Sequence, residues 1–173
     1  MEELVRSWTS GEEILAGDEI LPVRQVYTWL LCADNKIVIV SKDGSVWQLP
    51  GGKPEPSESM PETAQREVAE ETSVDISAYT SNLVFFGYYR VHEPGADTVD
   101  YLQVRYYLPL PVDSSNLNLS AANEDAVQAE ADAITCVTAV DSTELTRYIE
   151  WMATSPEYQE LQALGLLHQP SQK

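Results

Sequence analysis

Three carboxylates, Glu67, Glu70 and Glu71, fall within five consecutive positions of the chain. On a helix, residues three and four apart are surface neighbours, so these acids share one face and each pair costs about 0.2–0.5 kcal/mol. One chemistry that rewards such crowding is the binding of a hard divalent cation. Magnesium and its relatives take carboxylate oxygen and keep water and substrate phosphate as further ligands. Glu58 adds an acid upstream, and Arg66, four residues before Glu70, is placed to hold one carboxylate in a fixed orientation. The bland alternative is a solvated acidic face, which is the commoner meaning of an isolated E-x-x-E-E helix. The preceding residues shift the balance. Gly51-Gly52, directly after the strand-like "SVWQLP", lets the backbone turn tightly and approach a ligand or ion.

The acids need a helix to align them, and the sequence marks where it starts. Ser59-Met60-Pro61-Glu62 fits the S-x-x-E capping box, with Pro61 tolerated in the first turn, where its missing N–H has no intrahelical partner to lose. At about 100° per residue the three acids occupy one arc, and Pro61, Ala64 and Val68 form an adjacent stripe suited to burial. Strands are expected on both sides of this block. "VYTWLLCA" (26–33), "KIVIVSK" (36–42) and "SVWQLP" (45–50) are rich in β-branched and aromatic residues, with Asp43-Gly44 as a hairpin turn. "NLVFFGYYRV" (82–91) and "VDYLQVRYYLPL" (99–110) read as two long antiparallel strands around a Pro94-Gly95 loop.

Residues 112–130 are polar and aperiodic, which predicts an irregular connection with a short helix inside it. A last strand is expected near "AITCVTAV" (133–140), then a helix capped by Asp141 or Ser142 and running through Met152. Ser155-Pro156 starts another, ending near Leu164-Gly165. This order predicts an α/β fold with a mixed sheet between helices. The whole chain, 1–173, reads as one domain, in which the first ~20 residues and the helices of 142–167 are peripheral.

Composition sets outer bounds. Ten Lys and Arg stand against 28 Asp and Glu, a formal charge of −18, which disfavours nonspecific attraction to nucleic acid and leaves any phosphorylated ligand in need of a cation. The apolar run Val26 to Ala33 is too short to cross a bilayer, and the start "MEELVRSWTSGEE" is acidic rather than signal-like, so no membrane partner and a cytoplasmic location are expected. Cys32 and Cys136 lie in apolar strand-like runs, where a buried thiol outranks a disulfide or metal ligand.

The stretch from Gly52 to Val74 resembles the Nudix box of the Nudix hydrolases, G-x5-E-x7-R-E-U-x-E-E-x-G-U, where U is aliphatic. Gly52, Glu58, Arg66, Glu67, Val68, Glu70, Glu71 and Val74 fill eight of the nine specified positions in register, and Ser73 stands where the motif has glycine. The resemblance implies an α/β/α Nudix fold that uses magnesium or manganese to cleave the pyrophosphate linkage of a nucleoside diphosphate joined to another group. It assigns metal binding to Glu67, Glu70, Glu71 and the Gly52 carbonyl, with Glu70 and Glu71 counted as catalytic and Glu58 and Arg66 as supports of the motif. A nucleotide-type small molecule is then the expected partner, and a homodimer is an admissible assembly. The rival reading is a ligand-binding or sensing module that kept the fold and lost turnover.

Carboxylates committed to metal are poor bases, which calls for another acid to take the proton of the attacking water. Glu130 is the preferred candidate, narrowly over Glu124, with solvated loop charges as the alternative for both. Arg90 and Arg105, in strands near the expected cleft, are candidates for phosphate contact, with ion pairing on the sheet surface equally expected. His92 is assigned to an exposed loop and Trp47 to packing. Tyr88, Tyr89, Tyr106 and Tyr107 are assigned chiefly to core or sheet-face packing, with base stacking as the alternative.

Overall fold

The runs of β-branched and aromatic residues fold as strands, as their pattern predicts, in a computed structural model that describes residues 4–11, 13–95, 98–121 and 133–168. The strands are β1 (Val5–Ser10), β2 (Val23–Leu31), β3 (Lys36–Ser41), β4 (Trp47–Gln48), β5 (Gly51–Gly52), β6 (Val84–His92), β7 (Tyr101–Pro109) and β8 (Cys136–Asp141). They make one sheet in the order β1-β6-β7-β2-β3-β4, with β5 joined to β2 and β8 to β3. β2 and β7 run parallel and the other pairs antiparallel, so the sheet is mixed.

One edge of β2 is divided between two partners. β5 lies opposite Val26 and Tyr27, whereas β3 lies opposite Leu31. Between them the Thr28 amide donates to the Pro50 carbonyl at 2.9 Å. The glycine loop is therefore stitched into the sheet where it forks.

Alternation along β2 sends its side chains to two separate cores. Val26 and Leu30 face helix α1 (Met60–Thr72), where they pack with Ala64 and Val68. Trp29 and Leu31 face the other layer, packing with Leu145, Met152 and Leu161. That layer consists of α2 (Leu145–Tyr148), a 3-10 turn (Glu150–Thr154) and α3 (Pro156–Ala163). Burying each such aliphatic side chain contributes about 1.5–3 kcal/mol, and coverage on both faces explains why the central strands read as nearly continuous apolar runs. The result is the expected α/β/α sandwich.

Four details depart from the sequence reading. The N-terminal segment, treated as peripheral, contributes β1, which pairs along its full length with β6 from Val5↔His92 to Ser10↔Gly87. The helix expected through Met152 is broken at Ile149, whose φ of −127° and ψ of 83° are not helical. Its N-cap is Glu144, because the Asp141 carboxylate instead accepts the Thr143 amide at 2.9 Å in a local turn. Pro61 is exposed, and the buried stripe of α1 comprises Thr63, Ala64, Val68 and Thr72.

Candidate active site

Helix α1 begins as its sequence dictates. Ser59 is extended, its hydroxyl accepts the Glu62 amide, and Glu62 Oε2 accepts the Ser59 amide at 2.8 Å, closing the capping box. Ala64 and Val68 anchor the helix to the sheet, which brings Glu67 and Glu71 against the glycine loop and leaves Glu70 exposed beside them.

Arg66 organises the acids. Its Nε and Nη2 donate to the two oxygens of Glu58 at 2.6 and 3.0 Å, a bidentate pair. Nη1 donates to Glu67 Oε1 at 2.9 Å and to Glu70 Oε2 at 3.2 Å, while Nη2 also reaches the Lys53 carbonyl at 3.0 Å. The pairing with Glu70 is the expected one across a helical turn. The stronger pairing with Glu58 depends on the loop, which doubles back through Ser57 at φ 76° and lets Glu58 Oε2 also accept the Thr63 hydroxyl at 2.9 Å. Hydrogen bonding to Arg66 pulls the Glu58 carboxyl down to about 2, and the same bonds raise the pKa of the guanidinium.

The two glycines are required by what surrounds them. Gly51 has φ 151°, and a Cβ there would strike the backbone of Val26 and Tyr27. A Cβ on Gly52 would meet the Glu67 carboxylate. Glu71 closes the loop from the other side, its Oε2 accepting the Gly51 amide at 2.8 Å. Burial pushes the Glu71 carboxyl up to about 8 and raises Glu67 as well. Both groups therefore lack the solvent that normally stabilises a carboxylate.

The helix ends at Ser73, in the left-handed conformation with φ 61° and ψ 15°. Its hydroxyl donates to the Ser120 carbonyl at 2.8 Å and accepts from the Ser120 hydroxyl at 2.9 Å, and the Ser120 amide donates to the Thr72 carbonyl at 3.2 Å. Serine thus adopts the glycine-type conformation at this position and ties it to the loop after β7.

Among the described residues, no three His, Cys, Asp or Glu side chains stand in position to share one ion. Arg66 Nη1 occupies the gap between Glu67 and Glu70 that a shared cation would need. The donor set still suits a hard cation, because Glu67 and Glu71 are desolvated carboxylates, Glu70 is an exposed one, and the missing side chain at Gly52 leaves its backbone open beside Glu67. Glu67, Glu70, Glu71 and the Gly52 carbonyl are the groups that would hold it.

Beside this cluster lies a cavity of about 370 Å³, within the range of small-molecule sites. Gln25 and Tyr27 on β2 and Gln103 and Arg105 on β7 share one face of the sheet and line the cavity. Tyr27 is the register partner of Gly51, so the wall runs directly into the glycine loop. Arg105 is buried, its Nε donating to Glu157 Oε2 at 2.9 Å and its guanidinium lying 4.6 Å from the Tyr27 ring. Arg90 lies elsewhere, exposed and paired with Asp100 at 2.7 Å and Asp18 at 3.1 Å. His92 pairs with the same Asp100. Tyr88, Tyr89 and Tyr106 are buried, and Tyr107 packs against the core. Trp47, assigned to packing from sequence, lines the cavity, as do Arg6 and Trp151. Glu124 and Glu130 lie outside the described residues.

Comparison with known proteins agrees with this geometry. The family model for the NUDIX domain matches residues 21–153. The chain belongs to the Nudix hydrolase family. Its fold is similar to that of the pyrophosphohydrolase BsRppH of Bacillus subtilis, crystallised as a point mutant, with a TM-score of 0.60 at 16% identity over 94% of this chain and 93% of that one. It is also similar to MutT from Aliivibrio salmonicida and Vibrio cholerae, with a TM-score of 0.50 at 17% identity, covering 83% of this chain and 98% of that one. The Ap4A hydrolase of C. elegans gives a TM-score of 0.50 at 13% identity over the same shares. No curated protein matches the sequence. Among the described residues, no helix is long and apolar enough to cross a membrane.

Proposed function

We propose that this protein hydrolyses the pyrophosphate linkage of a nucleoside diphosphate joined to another group, with magnesium or manganese held by Glu67, Glu70, Glu71 and the Gly52 carbonyl. The observation that carries this reading is the acid cluster itself. Four glutamates from a loop and one helix converge on Arg66 and the glycine loop, in a chain whose net charge of −18 leaves a phosphorylated ligand in need of a cation. Bound metal supplies charge neutralisation of the pyrophosphate and activation of water.

The chain's own residues do the rest. Arg66 holds Glu67 and Glu70 in orientation, and Gly51-Gly52 allows phosphate to approach the backbone. The adjoining cavity receives an organic part of the substrate. Glu130, or else Glu124, takes the proton of the attacking water. The reading places the protein in the cytoplasm, acting on a free small molecule.

The test is chromatography of a panel of nucleotide sugars and dinucleoside polyphosphates incubated with the protein, with and without magnesium or manganese. Two phosphorylated products that appear only with metal are expected. Binding without turnover across the panel would establish the sensing module instead.

A further inference from the structure

Among the described residues, the least exposed ion pair joins α3 to the sheet. Arg105 Nε donates to Glu157 Oε2 at 2.9 Å, and the Glu157 side chain is wholly buried. The same Oε2 accepts Trp29 Nε1 at 3.2 Å, while Oε1 has no partner among the described residues. Burying a carboxylate with one oxygen unsatisfied costs hydration that a single guanidinium does not return in full, so apolar residues of similar volume would secure α3 at least as well. The pair is better explained by what it does to the direction of Arg105.

Arg105 stands in line with the glycine loop. Gly51, Tyr27 and Arg105 are successive register partners across β5, β2 and β7. Two strand spacings of about 4.8 Å put the Arg105 backbone roughly 10 Å from that of Gly51, a span that an arginine side chain and one phosphate group can bridge. The guanidinium lies 4.6 Å from the Tyr27 ring and 5.2 Å from the Tyr89 ring, which restrains its plane. Gln25 and Gln103, beside it on the cavity wall, satisfy each other, with Gln103 Nε2 donating to Gln25 Oε1 at 2.6 Å. Nη1 reaches the Val104 carbonyl only at 3.4 Å, and Nη2 bonds to no acceptor among the described residues. Donors thus remain for a ligand, on a group whose angle Glu157 fixes.

We infer that Glu157 is a positioning residue of the hydrolase site: from α3 it holds the Arg105 guanidinium so that Nη2 donates to a phosphate oxygen of the substrate. Support from a rigid neighbour of this kind keeps a binding group within reach of its ligand without repeated reordering. The role rests on the hydrolase reading for the place of the phosphates.

The probe is inorganic pyrophosphate with excess magnesium, titrated calorimetrically into the full chain, beside KM and kcat on any compound of the panel that is turned over. Glu157→Gln keeps an acceptor and removes the charge, and should weaken pyrophosphate and raise KM about tenfold each, with kcat within about threefold of the parent. Glu160→Ala removes a different polar tie of α3, the bond from Trp8 Nε1 to Glu160 Oε2 at 3.0 Å, and should lower the unfolding midpoint with KM and pyrophosphate affinity unchanged. If Glu157→Gln does not fold, Arg105→Lys replaces it, keeping the charge opposite Glu157 but losing the planar fork, and should show the same rise in KM. In the parent, the Arg105 Nε–H, identified by NMR from its absence in Arg105→Lys, should exchange with solvent at least about tenfold more slowly than that of the exposed Arg147. Exchange as fast as at Arg147, parental KM and pyrophosphate affinity in the variant that folds, equal weakening in Glu160→Ala, or no binding of pyrophosphate by the parent would each overturn the positioning role. Pyrophosphate binding that depends on Glu157, with no turnover on the panel, would defeat the hydrolase reading and leave the positioning role standing. Turnover with a parental KM in Glu157→Gln would do the reverse.

Discussion

Arg66 and Arg105 each meet a glutamate in this fold, in opposite settings. Arg66 spreads its donors over Glu58, Glu67, Glu70 and a backbone carbonyl at the partly exposed surface of α1. Arg105 gives its Nε to Glu157 alone, with side-chain exposures of 4% and 0%. Around Arg66, one partner can leave without stranding a charge, because water and other acceptors remain. Around Arg105, removing either partner strands an ion in a desolvated core. The first arrangement suits a group that must rearrange when a cation arrives, and the second suits a group that must stay where it is.

The sharpest way to break this contrast is Glu157→Ala, which should cost about 3–5 kcal/mol in urea unfolding by leaving Arg105 unpaired. A loss under about 1 kcal/mol would mean that Arg105 is no more committed than Arg66. On the other side, Glu70→Gln or Glu71→Gln should lower turnover on the order of 100-fold while leaving the fold intact, since each replaces a carboxylate ligand by a weaker amide ligand at small steric cost. Normal rates in both variants would take the acids out of the chemistry. Arg66→Ala should reduce kcat roughly tenfold and weaken metal binding less, because the acids lose orientation but keep their charge. Activity and metal dependence equal to the parent would make Arg66 a surface residue.

The Arg66 cluster should also show in the pH dependence of stability. The folded pKa of Glu58, about 2, lies below its ordinary value of 4.5, so its contribution is complete above the ordinary value and is lost as pH falls toward 2. The stability difference between the parent and Arg66→Ala should therefore shrink as pH falls from about 4.5 toward 2. A difference that stays constant to low pH would show that the Glu58 pair contributes nothing.

The smallest effect is expected at Ser73. Glycine there relieves a left-handed strain of about 1 kcal/mol and forfeits hydroxyl bonds of similar total worth, so Ser73→Gly should change stability by less than about 0.5 kcal/mol. Ser73→Ala keeps the strain and loses the bonds, and should be the less stable of the two by thermal unfolding.

The acidic helix is legible in the sequence because its determinants are local. A capping box, a buried Ala64 and Val68, and acids spaced for one face can all be read within fifteen residues. The principal partner of Arg66 is not legible, because Glu58 reaches it only through a loop that doubles back at Ser57. The cavity is harder still. Gln25, Gln103 and Glu157 meet only after β2 and β7 pair in parallel and α3 folds onto them, and no spacing in the chain encodes that register. Trp47 reads as packing because an aromatic residue in a strand usually packs, and only the position of β4 beside the cavity reveals its second face. Nothing in the sequence around Ile149 marks the break between α2 and the turn that follows it.

The stitching of the glycine loop into β2 has a consequence for amide hydrogen exchange. Segments beside reactive groups are usually drawn from the least protected parts of a fold. Here the Gly51 amide is held by Glu71, β5 pairs with Val26 and Tyr27, and the Thr28 amide is bound to the Pro50 carbonyl. To admit deuterium at these positions, β5 has to part from β2 and Glu71 has to release the Gly51 amide. The loop therefore exchanges more slowly than a free surface loop, because a strand pairing and a side-chain bond must break together.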